Sequence, residues 1–147
     1  MKLKIPPVAI FALFALLMWA LARHISLIHC RSLYVAGACV IVGACIALVG
    51  VIAFRKARTT VNPYKLESSR ELVTTGIYTL SRNPMYLGMA IMLVGWAFWL
   101  GEMLALLGVV GFMMYITYSQ ILPEEQVLKA KFGKSFEDYC QRTRRWL

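Results

Sequence analysis

Four long uncharged stretches dominate the chain: Ile5 to Ala22, Ser32 to Phe54, Asn83 to Gly101 and Met103 to Pro123. Each approaches or exceeds the ~17–25 apolar residues that a helix needs to cross a bilayer. The last two meet at Gly101-Glu102, which predicts a tight helical hairpin. A polar segment, Arg55 to Arg82, lies between the second and third stretches, and a mixed tail, Glu124 to Leu147, follows the fourth. The pattern predicts one all-α domain over residues 1–147: a polytopic membrane protein with about four transmembrane helices and a C-terminal cytosolic interfacial helical segment.

The tail reads as two short helices. Pro123-Glu124-Glu125 has the marks of a helix start, since proline suits the first turn and acids suit its positive end. Phe132-Gly133 marks the stop. Ser135 with Asp138 three residues on predicts a capping box for the next helix. Phe136, Tyr139 and Trp146 beside Lys and Arg predict that this last helix lies on the membrane surface.

Composition agrees with the membrane class. The 147 residues are 60% hydrophobic and 16% charged, against about 45–50% and about 25% in soluble domains. The formal net charge of +9 would suggest nucleic acid in a soluble protein. Here the cations flank apolar runs and set orientation instead, so no nucleic-acid partner is expected. Of the 16 Lys and Arg, all but Arg23 and Arg31 fall on one side when both termini are cytosolic. The expectation is a multi-pass protein of a bacterial inner membrane, with Trp19, Trp96 and Trp99 near the outer interface. The start of the chain imitates a secretory signal, with a basic Met1-Lys2-Leu3-Lys4 and a cleavage-like Ala20-Leu21-Ala22, but is expected to be retained. Cys30, Cys39, Cys45 and Cys140 form no CxxC pair and are expected to be packing thiols; no metal site is expected. His24 and His29 are expected to be solvated in the outer loop. Gly43 with Ala47, and Gly88 with Gly95, mark close helix contacts.

None of the four stretches holds a charged residue, whereas ion-coupled transporters usually carry one near the midplane. Polar chemistry collects at the cytosolic ends. Helices of ~1.5 Å rise per residue bring Arg82-Asn83-Pro84 and Glu124-Glu125 back to a similar depth. Each has a structural reading of its own. Asn83 is a preferred N-cap and Pro84 a preferred first helical residue; Arg82 can anchor an interface; the glutamates can complement a helix dipole. Together they suit a zwitterionic ligand. A helix start with an arginine attracts a carboxylate, and the paired glutamates suit an ammonium group or ribose hydroxyls. Tyr78, Tyr86, Tyr115 and Tyr118 offer aromatic faces for an adenine or a sulfonium.

The segment Leu72-Val73-Thr74-Thr75-Gly76-Ile77-Tyr78, followed by Arg82-Asn83-Pro84-Met85-Tyr86-Leu87-Gly88 and then by Glu124-Glu125, Leu128, Phe132-Gly133 and Tyr139, resembles the isoprenylcysteine carboxyl methyltransferase family and its phospholipid methyltransferase relatives. The resemblance covers residues 59 to 147. It implies an integral membrane methyltransferase using S-adenosyl-L-methionine, with a lipophilic or lipid-like small molecule as acceptor and the bilayer as its environment. By position it implies cofactor contacts at Arg70, Glu71, Leu72, Val73, Tyr78, Asn83, Pro84, Met85, Tyr86 and Glu124. Charge and helix geometry independently single out Arg82, Asn83, Glu124 and Glu125.

Two positions depart from the family pattern. Asn83 stands where many members have histidine, so this position caps and hydrogen-bonds but does not titrate near neutral pH. Gln120, the candidate substrate-binding residue, stands where enzymes acting on prenylcysteine carry an arginine. Losing that charge points away from a prenylcysteine acceptor. No residue is assigned as a catalytic acid or base, because methyl transfer from a sulfonium chiefly needs alignment and exclusion of water. The alternatives are a sterol-type membrane reductase using NADPH, which shares an Arg-x-Pro-x-Tyr-x-Gly motif, and a non-enzymatic small transporter or assembly subunit. The reductases tend to carry an acid just after the motif glycine, where this chain has Met89. The non-enzymatic reading predicts no cofactor binding and tolerance of Glu124→Ala.

Overall fold

Prolines punctuate both the first and the third helix. Pro7 opens α1 (Pro7–His24) and Pro84 opens α3 (Pro84–Leu100), positions where the missing N–H leaves no helical bond unmade. Between them, α2 (Leu33–Lys56) is apolar all round, the signature of a helix that meets lipid as well as protein. The computed structural model describes residues 5–25, 28–56 and 72–147, and the described part is all-helical apart from one isolated bridge. Three segments are long and apolar enough to span a membrane: Pro7–His24, Leu33–Ala53 and Met103–Phe132. The shorter α3 makes a fourth apolar helix. The expected count of about four rests on that helix, whose 17 residues reach about 25 Å.

The fourth apolar run departs from expectation. Pro123 does not start a new helix. The chain runs on from α4 (Leu106–Ile116) through a wide π turn, Thr117–Ile121, into α5 (Leu122–Phe132). In that turn the Leu122 N–H bonds five residues back, to the Thr117 carbonyl. A proline at 123 removes the ordinary bond to the Ser119 carbonyl and its ring crowds that carbonyl. Widening the preceding turn absorbs both effects.

Gly133 stops α5 as expected. Its φ of +50° and ψ of −122° suit glycine alone. The next helix, α6 (Lys134–Arg142), takes Gly133 as its N-cap, with no side-chain cap. The expected capping box therefore does not form, because Ser135 already lies inside the helix. The apolar face of α6 is turned onto the protein: Phe136 and Tyr139 are buried with Tyr78, beside Leu72, Val73 and Leu128.

The main core lies between α1, α3 and α4, around Ile10, Met18, Leu93, Phe112 and Ile116. Phe112 meets Phe11 and Phe14 edge-on, a favoured aromatic geometry. Against α2, α3 packs backbone to backbone. A methyl group added at Gly43 would lie 2.5 Å from the Gly88 carbonyl oxygen, and one at Gly95 would lie 2.8 Å from the Ala36 carbonyl oxygen. In lipid such close approach takes the place of the hydrophobic drive.

At the far end, Gly101 at φ +80° caps α3, and the two loops pair. The Cys30 N–H donates to the Gly101 carbonyl (2.9 Å) and the Met103 N–H to the Ile28 carbonyl (3.1 Å). His29 was expected to be only solvated; its ring is 74% exposed, yet Nε2 lies 3.0 Å from Oε1 of the buried Glu102. Trp96 and Trp99 stack at 4.7 Å, and Arg23 lies over Trp19. Trp19, Trp96 and Trp99 thus gather at the end opposite the Arg82 motif, as expected.

Candidate functional site

At the other end, the start of α3 and the start of α5 meet. Tyr86 lies on the first turn of α3, and its hydroxyl donates to Glu124 Oε1 at 2.8 Å. Arg82, just ahead of the helix, places Nη2 3.0 Å from Glu125 Oε1. Residues about 40 positions apart are therefore in contact, as the helix-length argument requires. Arg82 and Glu125 are mostly buried, at 12% and 18% side-chain exposure, so this ion pair is poorly screened.

Glu125 has a second cation that the sequence reading missed as a site residue. Arg145 donates from Nε to Oε1 (3.0 Å) and from Nη2 to Oε2 (2.7 Å), the paired fork that suits a carboxylate. Its charged form is favoured by that hydrogen bond, against a smaller opposing effect of burial. Nothing in the local pattern near Arg145 points to Glu125, 20 residues earlier; only the excess of cations over acids at this end hinted at an additional partner.

Asn83 occupies the N-cap position of α3, but its side chain does not cap the helix. Its Nδ2 donates instead to the Arg145 carbonyl at 3.1 Å. The segment returning after α6 offers an acceptor that draws the amide away. The first turn of α3 thus has no side-chain cap, and the mostly buried Arg82 has its Nε without a hydrogen-bond partner among the described residues.

Tyr78 sits in a short 3₁₀ turn, Gly76–Thr79, and is 3% exposed. Burial pushes its phenol pKa up, and Tyr139 and Glu124 nearby push it further. Tyr139 donates its hydroxyl to the Tyr78 carbonyl at 2.7 Å. Burial raises its pKa too, with Arg82 pulling the other way. Both phenols are neutral at physiological pH.

The remaining expected residues divide into groups. Leu72 and Val73 pack on the Tyr78–Phe136–Tyr139 cluster. Pro84 and Met85 lie against Gly50 of α2. Gln120 is fully buried in the π turn, with Nε2 donating to the Ile5 carbonyl at 3.0 Å, so it ties the start of α1 to the fourth apolar helix. Arg70 and Glu71 lie outside the described residues. Among the described residues no three His, Cys, Asp or Glu side chains converge as a metal set, and the four cysteines are free thiols.

Comparison with known proteins agrees with the motif. The phospholipid methyltransferase family model matches residues 31–135. The chain is 31% identical over 110 residues to a probable protein-S-isoprenylcysteine O-methyltransferase of Oryza sativa subsp. indica, covering 74% of this chain and 57% of that protein. The subsp. japonica counterpart matches to the same extent. The chain thus spans little more than half the length of these relatives. An uncharacterized protein of Haemophilus influenzae is 46% identical over 63 residues, 43% of this chain and the whole of that protein. No solved structure matches. The family match covers well over half of the chain, and the chain belongs to the phospholipid methyltransferase family.

Proposed function

We propose that the protein takes a methyl group from S-adenosyl-L-methionine and passes it to a lipophilic or amphiphilic acceptor at the cytosolic leaflet. The observation that carries this reading is the meeting of Arg82, Asn83 and the start of α3 with Tyr86, Glu124 and Glu125 at one end of the bundle. Family membership supports methyl transfer; S-adenosyl-L-methionine as the donor is what the family resemblance implies, and the residues present suit it. An orphaned guanidinium nitrogen beside a helix start without a side-chain cap suits the donor's carboxylate. Glu124, aimed by the Tyr86 hydroxyl, suits its ammonium group or its ribose hydroxyls.

When bound, the donor supplies an already activated sulfonium methyl group. The chain's own part is then to orient and to exclude water. Tyr86 fixes the Glu124 carboxylate, Arg82 and Asn83 fix the anionic end, and the buried Tyr78 and Tyr139 close the side under α6. Arg70, Glu71, Leu72 and Val73 complete the donor site in this reading, the last two from the apolar side. The neutral Gln120 disfavours a prenylcysteine carboxylate as acceptor, even though the rice relatives carry that name.

The test is transfer of a labelled methyl group from the donor to a lipid extract by protein in nanodiscs, with mass spectrometry of the products. The expected result is a methylated lipid-soluble product, lost in Glu124→Ala. No product with any extract, together with binding of a nicotinamide dinucleotide, would replace this reading with a reductase.

A further inference from the structure

Beyond α6 the last five residues, Thr143–Leu147, return across the start of α3 as a strap. The Arg82 N–H donates to the Arg144 carbonyl at 3.0 Å. The Ser81 hydroxyl (3.3 Å) and Asn83 Nδ2 (3.1 Å) both donate to the Arg145 carbonyl. The Thr143 hydroxyl donates to the Thr79 carbonyl at 3.4 Å, and Trp146 Nε1 to the Thr117 hydroxyl in the π turn at 3.3 Å. Three consecutive residues, Ser81, Arg82 and Asn83, thus direct hydrogen bonds at the strap backbone. The strap in turn sends the Arg145 side chain onto both oxygens of Glu125, whose Oε1 also meets Arg82.

We propose that the strap is a working part of the donor site, and that Arg145 is a positioning residue that locks the Glu125 carboxylate and through it aims Arg82. This rests on the donor-binding reading above. The physical reason is the fork: two parallel hydrogen bonds fix a carboxylate in orientation as well as place. A carboxylate held only by Arg82 is free to turn about its stem, and Arg82 turns with it. A lysine at 145 keeps the charge but loses the fork.

The experiment uses the full chain in nanodiscs and S-adenosylhomocysteine as the probe, titrated by calorimetry. Arg145→Gln is expected to weaken binding about tenfold, with Arg145→Lys falling between it and wild type. In a Glu125→Gln background, Arg145→Gln is expected to cost no further affinity, because Arg145 acts through Glu125. A segment that merely stabilises the fold would instead leave the affinity of folded Arg145→Gln unchanged while lowering its unfolding midpoint.

A second readout needs no ligand. Hydrogen exchange at the Arg82 amide, which donates to the Arg144 carbonyl of the strap, is expected to run at least about tenfold faster in Glu125→Gln than in wild type, read by mass spectrometry of peptides; Arg145→Lys replaces Arg145→Gln should the latter fail to fold. Equal exchange rates overturn the docked strap. Wild-type binding that Arg145→Gln leaves unchanged, or additive losses in the double variant, overturn the positioning role alone. No binding by wild type overturns the donor reading and the role of Arg145 with it, while hydrogen exchange still decides whether the strap is docked.

Discussion

Placing one methyl group at Gly43 tests how α3 is held. In the structure that methyl would sit 2.5 Å from the Gly88 carbonyl oxygen and 3.0 Å from the Met92 amide nitrogen, where ordinary contacts begin at about 3.4 Å. These two obstacles are backbone and cannot rotate aside, while a third, Met92 Cγ at 2.8 Å, is a side chain; the helices must part by about 1 Å. Overpacking of this kind costs about 1–3 kcal/mol, offset by the ~0.5–1 kcal/mol that alanine gains over glycine within a helix. The net loss for Gly43→Ala is about 0–2.5 kcal/mol. Gly37 supplies the control on the same helix: nothing lies within 4 Å of its added methyl, so Gly37→Ala keeps the helical gain alone. Thermal unfolding in detergent, followed by tryptophan fluorescence, should move down for Gly43→Ala and level or up for Gly37→Ala, by about 2–4 °C per kcal/mol. Equal behaviour of the two variants would refute the backbone-to-backbone packing. Because Asn83 and Tyr86 ride on the start of α3, Gly43→Ala should also weaken donor binding without touching the site.

Two further outcomes follow from the ion pairs and the buried phenols. Removing Glu125 by Glu125→Ala leaves Arg82 and Arg145 without their shared carboxylate and should cost about 1–3 kcal/mol, with Glu125→Gln intermediate, read as shifts in the unfolding midpoint. Tyr78 and Tyr139 have folded-state pKa values raised above the unfolded value of about 10. The folded state therefore holds protons that the unfolded state releases. Their contribution is full below pH 10 and is lost as pH rises above it. Unfolding midpoints should fall between pH 9.5 and 11 (roughly, from the phenol pKa), and Tyr78→Phe should flatten that fall; an unchanged slope would show that Tyr78 is exposed to solvent.

Much of this arrangement could be read from residue order. Long uncharged runs demand helices, and the helix-length arithmetic alone returns Glu124 to the depth of Asn83. Gly43 and Gly88 announced their packing by size. The errors came where a local signal had two physical solutions. Pro123 followed by two acids looks like a helix start, but a proline inside a helix is also accommodated by a wide turn before it. Ser135 with Asp138 looks like a cap, but Gly133 at positive φ takes that place first. Asn83 looks like a side-chain cap, but the Arg145 carbonyl competes for its amide. Contacts made by short tails and loops, Arg145 with Glu125 and His29 with Glu102, were not legible, because no period or helix length fixes where such segments fold back.

Photo-crosslinking of a labelled azido derivative of S-adenosylmethionine, with peptide mapping, tests the central claim most directly. The account predicts labelled peptides that contain Tyr78–Tyr86 and Glu124–Glu125, with labelling competed by S-adenosylhomocysteine and lost in Glu124→Ala. Specific labelling confined to the His29–Glu102 end of the bundle would contradict it.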